Sequence, residues 1–517
     1  MRNVVFSLSL SAALFAPAVF AADSVAIVVD ANKSGATIDR HIFGQFAEHL
    51  GHGIYEGVWV GPDSPIPNTR GIRNDVVAAL KAIKVPVVRW PGGCFADEYH
   101  WRNGIGPAGK RRAGLNPNWG GVVEPNTFGT HEFMDFAGQI GAEAYISANV
   151  GSGTVQEAAE WLEYMTAQQT ALSDERAANG HPGAYKVAFW GIGNESWGCG
   201  GAMSPEHYLE ELKVYSHYSR NYNAAQPMAQ IAVGPDGGHT EYTETIMKAW
   251  ASKVWSWNID GLSLHSYTTN GWPPSAKATG FGEPEYARFI KETLGMEELV
   301  SKHEAIMDKY DPERKLALVV DEWGSWLAPT PGTNPGFLMQ QNSQRDAVVA
   351  ALNLNIFARH AARVRMANIA QMINVLQAMI LTDKEKMVLT PTYHVFKMYV
   401  PFQDATFVPV TYDAGHYGNG QAAMPRADVI AARDKNGKLW LALTNIDPNR
   451  PLNVELALPG AGAARASGQT LAAPRIDSVN TFAAPDTVAP KPVSGKPANG
   501  KLTLSLAPAS VTVVSIE

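Results

Sequence analysis

From about residue 40 to about residue 400 the chain repeats one pattern: a short apolar run, a longer stretch with helical spacing, then another apolar run. The runs that read as strands are Ile42–Phe46, Pro86–Trp90, Ala144–Asn149, Val187–Gly191, Gln230–Gly234, Gly261–His265, Leu316–Val320 and Ala370–Val375. Between them, Val155, Ala158, Leu162 and Met165 share one helical face. Ser204 and Pro205 supply a cap and a first-turn proline ahead of Leu209, Leu212 and Tyr215. Segments 74–83, 283–307 and 344–362 also read as helices. Strands that are apolar throughout are buried on both faces, and helical crossovers make them parallel. Eight of them predict an α/β fold closed into a (β/α)8 TIM barrel, with an open doubly wound sheet as the alternative.

Past Pro401 the helical period disappears. Val429–Arg433, Leu439–Asn445, Val454–Leu458 and Val511–Ile516 are short alternating runs set between Pro, Gly, Asn and Asp, the pattern of a β-sandwich. Val25, Ile27 and Val29 alternate in the same way and can add a strand to it. Residues 1–21 read as an export signal. Arg2 opens it, Val4 to Phe15 is its apolar stretch, and Val19-Phe20-Ala21 leads to the cleavage point. That stretch is too short to span a bilayer, which takes about 20 helical residues. The expected organisation is a signal at 1–21, a strand joining the sandwich at 22–39, a catalytic barrel at 40–400 and a β-sandwich at 401–517. The expected location is periplasmic or extracellular, with no membrane attachment once the signal is removed. Export puts Cys94 and Cys199 where a disulfide can form, and both a bridge and two free thiols remain open.

Charge and composition narrow the function. Lys and Arg number 42 against 49 Asp and Glu, a net charge of −7, which argues against nucleic acid as the main partner. Two cysteines are too few for a four-cysteine zinc site, and His49 and His52 have no evident third ligand, so neither metal nor cofactor is expected. The 14 tryptophans and 17 tyrosines suit the flat apolar faces of sugar rings.

In such barrels the reacting groups stand at the carboxyl ends of the strands. Glu48 and His49 follow the first strand, and Pro91-Gly92-Gly93-Cys94 the second. Asn194-Glu195 follows the fourth, His265-Ser266-Tyr267 the sixth, and Asp321-Glu322-Trp323 the seventh. Cleaving a glycosidic bond needs one carboxyl to protonate the leaving oxygen and a second to attack or to activate water. Glu195 and Glu322 are the pair placed to do so across the barrel mouth, and Asn194 is placed beside a sugar hydroxyl. Gly92-Gly93 reads as a backbone turn device, and His265 as a partner to a neighbouring carboxylate.

Arg89-Trp90-Pro91-Gly92-Gly93, Gly193-Asn194-Glu195 and Val320-Asp321-Glu322-Trp323-Gly324 resemble the motifs of the α-L-arabinofuranosidases of glycoside hydrolase family 51, and the likeness runs from about 40 to 400. The resemblance implies a retaining, exo-acting enzyme that releases terminal arabinofuranose from arabinan, arabinoxylan or their oligosaccharides. It makes Glu195 the acid/base and Glu322 the nucleophile. It places Glu48, Asn194 and Tyr267 in the arabinose pocket, with Trp119 and Trp326 as aromatic walls. It makes the C-terminal sandwich a jelly-roll and suggests a homo-oligomer. Where the family commonly has a substrate-binding asparagine this chain has Cys94, a poor hydrogen-bond donor. No family glutamine is matched near the end of the barrel. The competing readings are a β-1,4-endoglucanase or β-xylosidase on a similar barrel, and a sugar-binding barrel without catalysis. Retention of both glutamates argues against the last.

Overall fold

In the computed structural model of this protein, eight parallel strands close on themselves in chain order. They are Gly44–Phe46, Val87–Trp90, Glu143–Ala148, Phe189–Ile192, Ala229–Ala232, Gly261–Thr268, Ala317–Ser325 and Val364–Ile369. The last pairs with the first, Asn368 opposite Gly44 and Ile369 opposite Gln45, which shuts the barrel. The structure describes residues 24–419, 422–459, 465–498 and 501–517. The expected signal at 1–21 lies outside them.

The first seven strands overlap the sequence expectations, and the eighth is displaced. It runs from Val364 to Ile369, not from Ala370 to Val375. Arg363 and Arg365 flank Val364 and break the apolar pattern that marks a strand. Arg363 is nonetheless fully buried, donating to Asp311 Oδ2 at 2.7 Å and to the Leu316 carbonyl at 3.0 Å. The apolar run after it is buried as an irregular turn, with a cis Ala370–Gln371 peptide and positive φ at Asn374 and Leu376. That turn lies over the mouth of the barrel: Met372 N donates to the Phe46 carbonyl at 2.8 Å.

Val87, Tyr145, Ile231, Val319 and Met366, from different strands, meet in one apolar cluster inside the barrel. The crossover helices form the outer layer. The helix Pro205–Tyr218 opens with Pro205 in its first turn, and the Ser204 side chain accepts from His207 N. The helix Gln344–Arg359 is buried along its whole length up to Ala358. It packs between the barrel and the C-terminal strands, so it has no solvent face to make polar.

The C-terminal strands form one continuous ladder of ten. Its two end members, Thr406–Val408 and Val410–Tyr412, are separated in sequence only by Pro409, so the ladder folds round on itself. Inside it, Val429, Ala431, Leu441, Leu443, Val454, Leu456, Leu502, Leu504 and Val514 make a second core. Ser24–Val29 belongs to this ladder, parallel to Leu452–Ala457 and antiparallel to Val410–Tyr412. Its alternation places Val25, Ile27 and Val29 in that core and the intervening residues outside. Lys491–Ala498 also forms a strand, within a proline-rich stretch that shows no long apolar run.

Candidate active site

The carboxyl ends of the barrel strands bring the two glutamates together. Glu322 lies within the long seventh strand, directly opposite His265 of the sixth. Glu195 sits just past the fourth strand at φ +36°, a left-handed conformation that costs a non-glycine residue on the order of 1–3 kcal/mol. The turn after it holds it there: the amides of Gly198 and Gly200 both donate to the Glu195 carbonyl, at 2.7 and 3.0 Å. One oxygen of Glu195, one of Glu322 and a ring nitrogen of His265 all lie within 4.8 Å of one another.

Each glutamate is fixed by partners. Glu322 Oε1 accepts from Arg89 Nη1 at 2.7 Å, and its Oε2 accepts from the Tyr267 hydroxyl at 2.7 Å. Glu195 Oε1 faces His265 Nδ1 at 2.8 Å, while His265 Nε2 faces Asp321 Oδ1 at 3.1 Å. Burial raises the Glu195 carboxyl above the ordinary range, and the nearby Glu322 charge pushes the same way, against the opposing pull of His265. Burial alone would lower His265, but the carboxylates of Glu322 and Asp321 and its hydrogen bonds carry it up to about 10. Asp321 is held low because the charges of Arg89 and His265 outweigh its burial.

The remaining candidates surround this pair. Glu48 is 2% exposed. Its Oε1 accepts from Gly93 N, Phe95 N and Trp119 Nε1 at 3.1, 3.1 and 2.8 Å, and its Oε2 from Gln371 Nε2 at 3.0 Å. Burial and the Glu322 charge push it up to about 7 in spite of these donors. Asn194 Oδ1 accepts from Arg89 Nη2 at 2.6 Å, which aims its amide nitrogen toward Cys199 Sγ at 3.8 Å. Tyr267 and Trp326 pack edge to face with centroids 4.9 Å apart. Both join Trp119 against an apolar cluster containing Phe46, Leu50 and Leu338.

Cys94 reaches the mouth as half of a disulfide with Cys199, their Cα atoms 5.5 Å apart. A disulfide sulfur has no hydrogen to donate, so Cys94 presents a sulfur wall where a donor would otherwise stand. The bridge ties the loop after the second strand to the loop that carries Glu195, and Cys199 Sγ lies 3.5 Å from Glu195 Oε2. The Gly92-Gly93 turn leads into the short helix Cys94–Glu98, the Gly93 carbonyl accepting from Ala96 N at 2.9 Å. Neither glycine has a positive φ. A Cβ on Gly93 would stand 2.9 Å from Glu322 Oε1, and one on Gly92 would stand 2.9 Å from Glu48 Cγ. Two carboxylates press against that backbone, so a side chain at either position would collide with one of them.

Three site residues were not singled out from sequence. Gln371 is 2% exposed; its Nε2 donates to Glu48 Oε2, and its Oε1 has no hydrogen-bond partner among the described residues. Reading Ala370–Val375 as a strand put this glutamine inside an element, not at the end of one. Arg89 stands between Glu322 and Asn194 but reads in sequence only as part of a motif. Asp97 accepts from the amides of Val150, Gly151 and Asn194 at 2.7, 2.9 and 2.9 Å, joining the loops after strands three and four. Its signal is an acid in a mostly apolar turn, Cys94-Phe95-Ala96-Asp97.

Two family descriptions match this chain: "Alpha-L-arabinofuranosidase 1 domain" over residues 79–245 and "Alpha-L-arabinofuranosidase C-terminal domain" over residues 321–510. A protein of Bacteroides ovatus described as an intracellular exo-alpha-L-arabinofuranosidase is 45% identical over 470 residues, 90% of each chain. Among solved structures, a GH51 arabinofuranosidase from Xanthomonas axonopodis pv. citri superposes with a TM-score of 0.93 at 50% identity, covering 96% of this chain and all of that one. An α-L-arabinofuranosidase from Thermotoga maritima in complex with arabinose gives a TM-score of 0.84 at 30% identity, with the same coverage. The Bacteroides relative corrects the expectation of export: a protein this similar along nearly its whole length is described as intracellular. The physical basis of that expectation was the charge and apolar pattern of residues 1–21 alone, a segment outside the described residues.

Proposed function

The chain belongs to the α-L-arabinofuranosidases of glycoside hydrolase family 51 and is a glycoside hydrolase of that activity; from this premise we propose that it is retaining and exo-acting, with Glu195 as acid/base and Glu322 as nucleophile. Its substrates are terminal arabinofuranosyl residues of arabinan, arabinoxylan or their oligosaccharides. The observation that carries this reading is the approach of the Glu195 and Glu322 oxygens to within 4.8 Å. Retaining enzymes hold the two carboxyl groups about 5–5.5 Å apart, whereas inverting ones leave roughly 6.5–9.5 Å for a water.

In the first half-reaction Glu195 gives its proton to the glycosidic oxygen while a Glu322 oxygen bonds to the anomeric carbon. The aglycone leaves as an alcohol and a glycosyl ester remains on Glu322. In the second, Glu195 takes a proton from water, whose oxygen attacks the same carbon and releases Glu322. The raised Glu195 carboxyl suits the first step, because the acid must carry its proton at working pH. Glu48, Asn194 and Gln371 supply polar groups from the ends of strands one, four and eight, a ring suited to the hydroxyls of a single sugar. The Bacteroides ovatus relative is itself described as an exo-enzyme.

The test is a panel of aryl glycosides with the wild type and both Glu→Ala variants. Glu195→Ala should lose far more on poor leaving groups than on activated aryl ones, and azide should restore turnover. Glu322→Ala should lose activity on all of them. NMR of the first product should show the anomer of the substrate. An inverted first product, or equal losses for the two variants across leaving groups, overturns the assignment.

A further inference from the structure

Trp272 is the exposed aromatic residue next to this site, with 67% of its surface open to solvent. It lies in the loop after the sixth strand and packs edge to face on Trp326, centroids 4.8 Å apart. Trp326 packs in the same way on Tyr267, whose hydroxyl donates to Glu322 Oε2. Three rings therefore run from the reacting carboxylate out to the rim.

The loop is built to hold the outermost ring. Asn270 Oδ1 accepts from Ser275 N and Ala276 N at 2.9 and 2.8 Å, and its Nδ2 donates to Ser275 Oγ at 2.9 Å, closing the chain around Trp272. Gly271 at φ +116° makes the bend that a side chain would oppose. Beyond it, Ala328 N donates to the Ala276 carbonyl at 2.9 Å, joining this loop to the one that carries Trp326. Gly280 N donates to Asp477 Oδ2 at 3.0 Å, and Arg345 Nη1 to the Lys277 carbonyl at 2.9 Å. An indole left largely in water on a loop with this many anchors contributes little to the core. It does offer a firm apolar face at the rim, two rings out from the Tyr267 that holds Glu322.

We propose that Trp272 is a specificity-determining residue: it forms the platform for the sugar ring to which the arabinose is attached, stacking on that ring's C–H face. This rests on the reading of Glu322 as the nucleophile and extends it to the aglycone side. Glu48, Asn194 and Gln371 hold the arabinose by hydrogen bonds, and Trp272 holds its neighbour by apolar contact. The platform therefore selects for a pyranose or furanose aglycone over a small leaving group.

The test compares substrates that differ only beyond the bond being broken. α-L-Arabinofuranosyl fluoride has no aglycone ring, whereas arabinotriose and an arabinosylated xylotriose do. For Trp272→Ala the ratio of kcat/KM on whichever oligosaccharide the wild type cleaves to kcat/KM on the fluoride should fall about tenfold, or about 1.4 kcal/mol. Trp272→Tyr, which keeps a flat ring, should recover most of that ratio. Equal losses on both substrates would mean that Trp272 only steadies Trp326, and would overturn the proposal; so would an unchanged ratio. If the wild type fails to turn over the fluoride, the arabinofuranosidase mechanism itself fails, and the two failures are thus distinguishable.

Discussion

His265 stands between Asp321 and the two glutamates proposed to react, and it is the residue whose loss should be easiest to read in a pH profile. Its positive charge and hydrogen bond draw the Glu195 carboxyl down against burial. Removing them in His265→Asn leaves burial and the Glu322 charge against the weaker pull of Arg89, so Glu195 should keep its proton to higher pH. The basic limb of kcat/KM should move upward; a limb that stays or moves down argues against the contact. Gly93→Ala tests steric room in the same place. A Cβ 2.9 Å from Glu322 Oε1 must displace either the turn or the carboxylate, and a misplacement of about 1 Å can cost about a hundredfold in rate. Thermal melting should change far less than activity. Glu195 and Glu322 were legible in sequence because each is an acid directly after a strong apolar run. Gln371 was not, because its neighbours Met372, Ile373 and Val375 are as apolar as a strand.

At the scale of elements, alternation and caps were reliable guides and boundaries at charged residues were not. Ser204-Pro205 and the Val25-Ile27-Val29 pattern each correspond to one physical event, a capped helix start and a one-faced strand. The eighth strand was misplaced because Arg363 and Arg365 look like solvent residues, and only partners distant in sequence, Asp311 and the Leu316 carbonyl, make the burial of Arg363 possible. The Cys94–Cys199 bridge is a link between elements that sequence left open. Replacing both cysteines by serine should cost about 2–4 kcal/mol of stability, visible as a lower melting temperature. A dithiol reductant should lower the melting temperature of the wild type by a similar amount and leave the double variant unmoved. Because Cys199 Sγ lies beside Glu195, loss of the bridge should slow substrates with poor leaving groups most. Reduction without effect on either measurement would show the tie to be idle.

At the scale of the molecule, barrel and sandwich share a helix. Gln344–Arg359 has no exposed face, because the barrel covers one side and the C-terminal strands another. Arg359 Nη1 and Asn355 Nδ2 both donate to Asp428 across that boundary, at 2.9 and 2.7 Å. A chain ending at residue 400 would uncover the side of this helix that meets the C-terminal strands and leave Arg359 Nη1 and Asn355 Nδ2 without Asp428, and should be aggregated or partly unfolded by circular dichroism and light scattering. A folded, monomeric barrel from that truncation would show that the two parts are independent.

Ser24–Val29 pairs on both edges with strands made much later in the chain. It is made about 420 residues before its parallel neighbour, Leu452–Ala457. At roughly 5–20 residues per second the early strand waits on the order of tens of seconds with both edges unpaired. During that time it is an alternating apolar strand with nothing to pair with, so nascent-chain capture by chaperones should concentrate there. The ladder can be completed only once Leu452–Ala457 has been made, whereas the last barrel strand is already complete at Ile369.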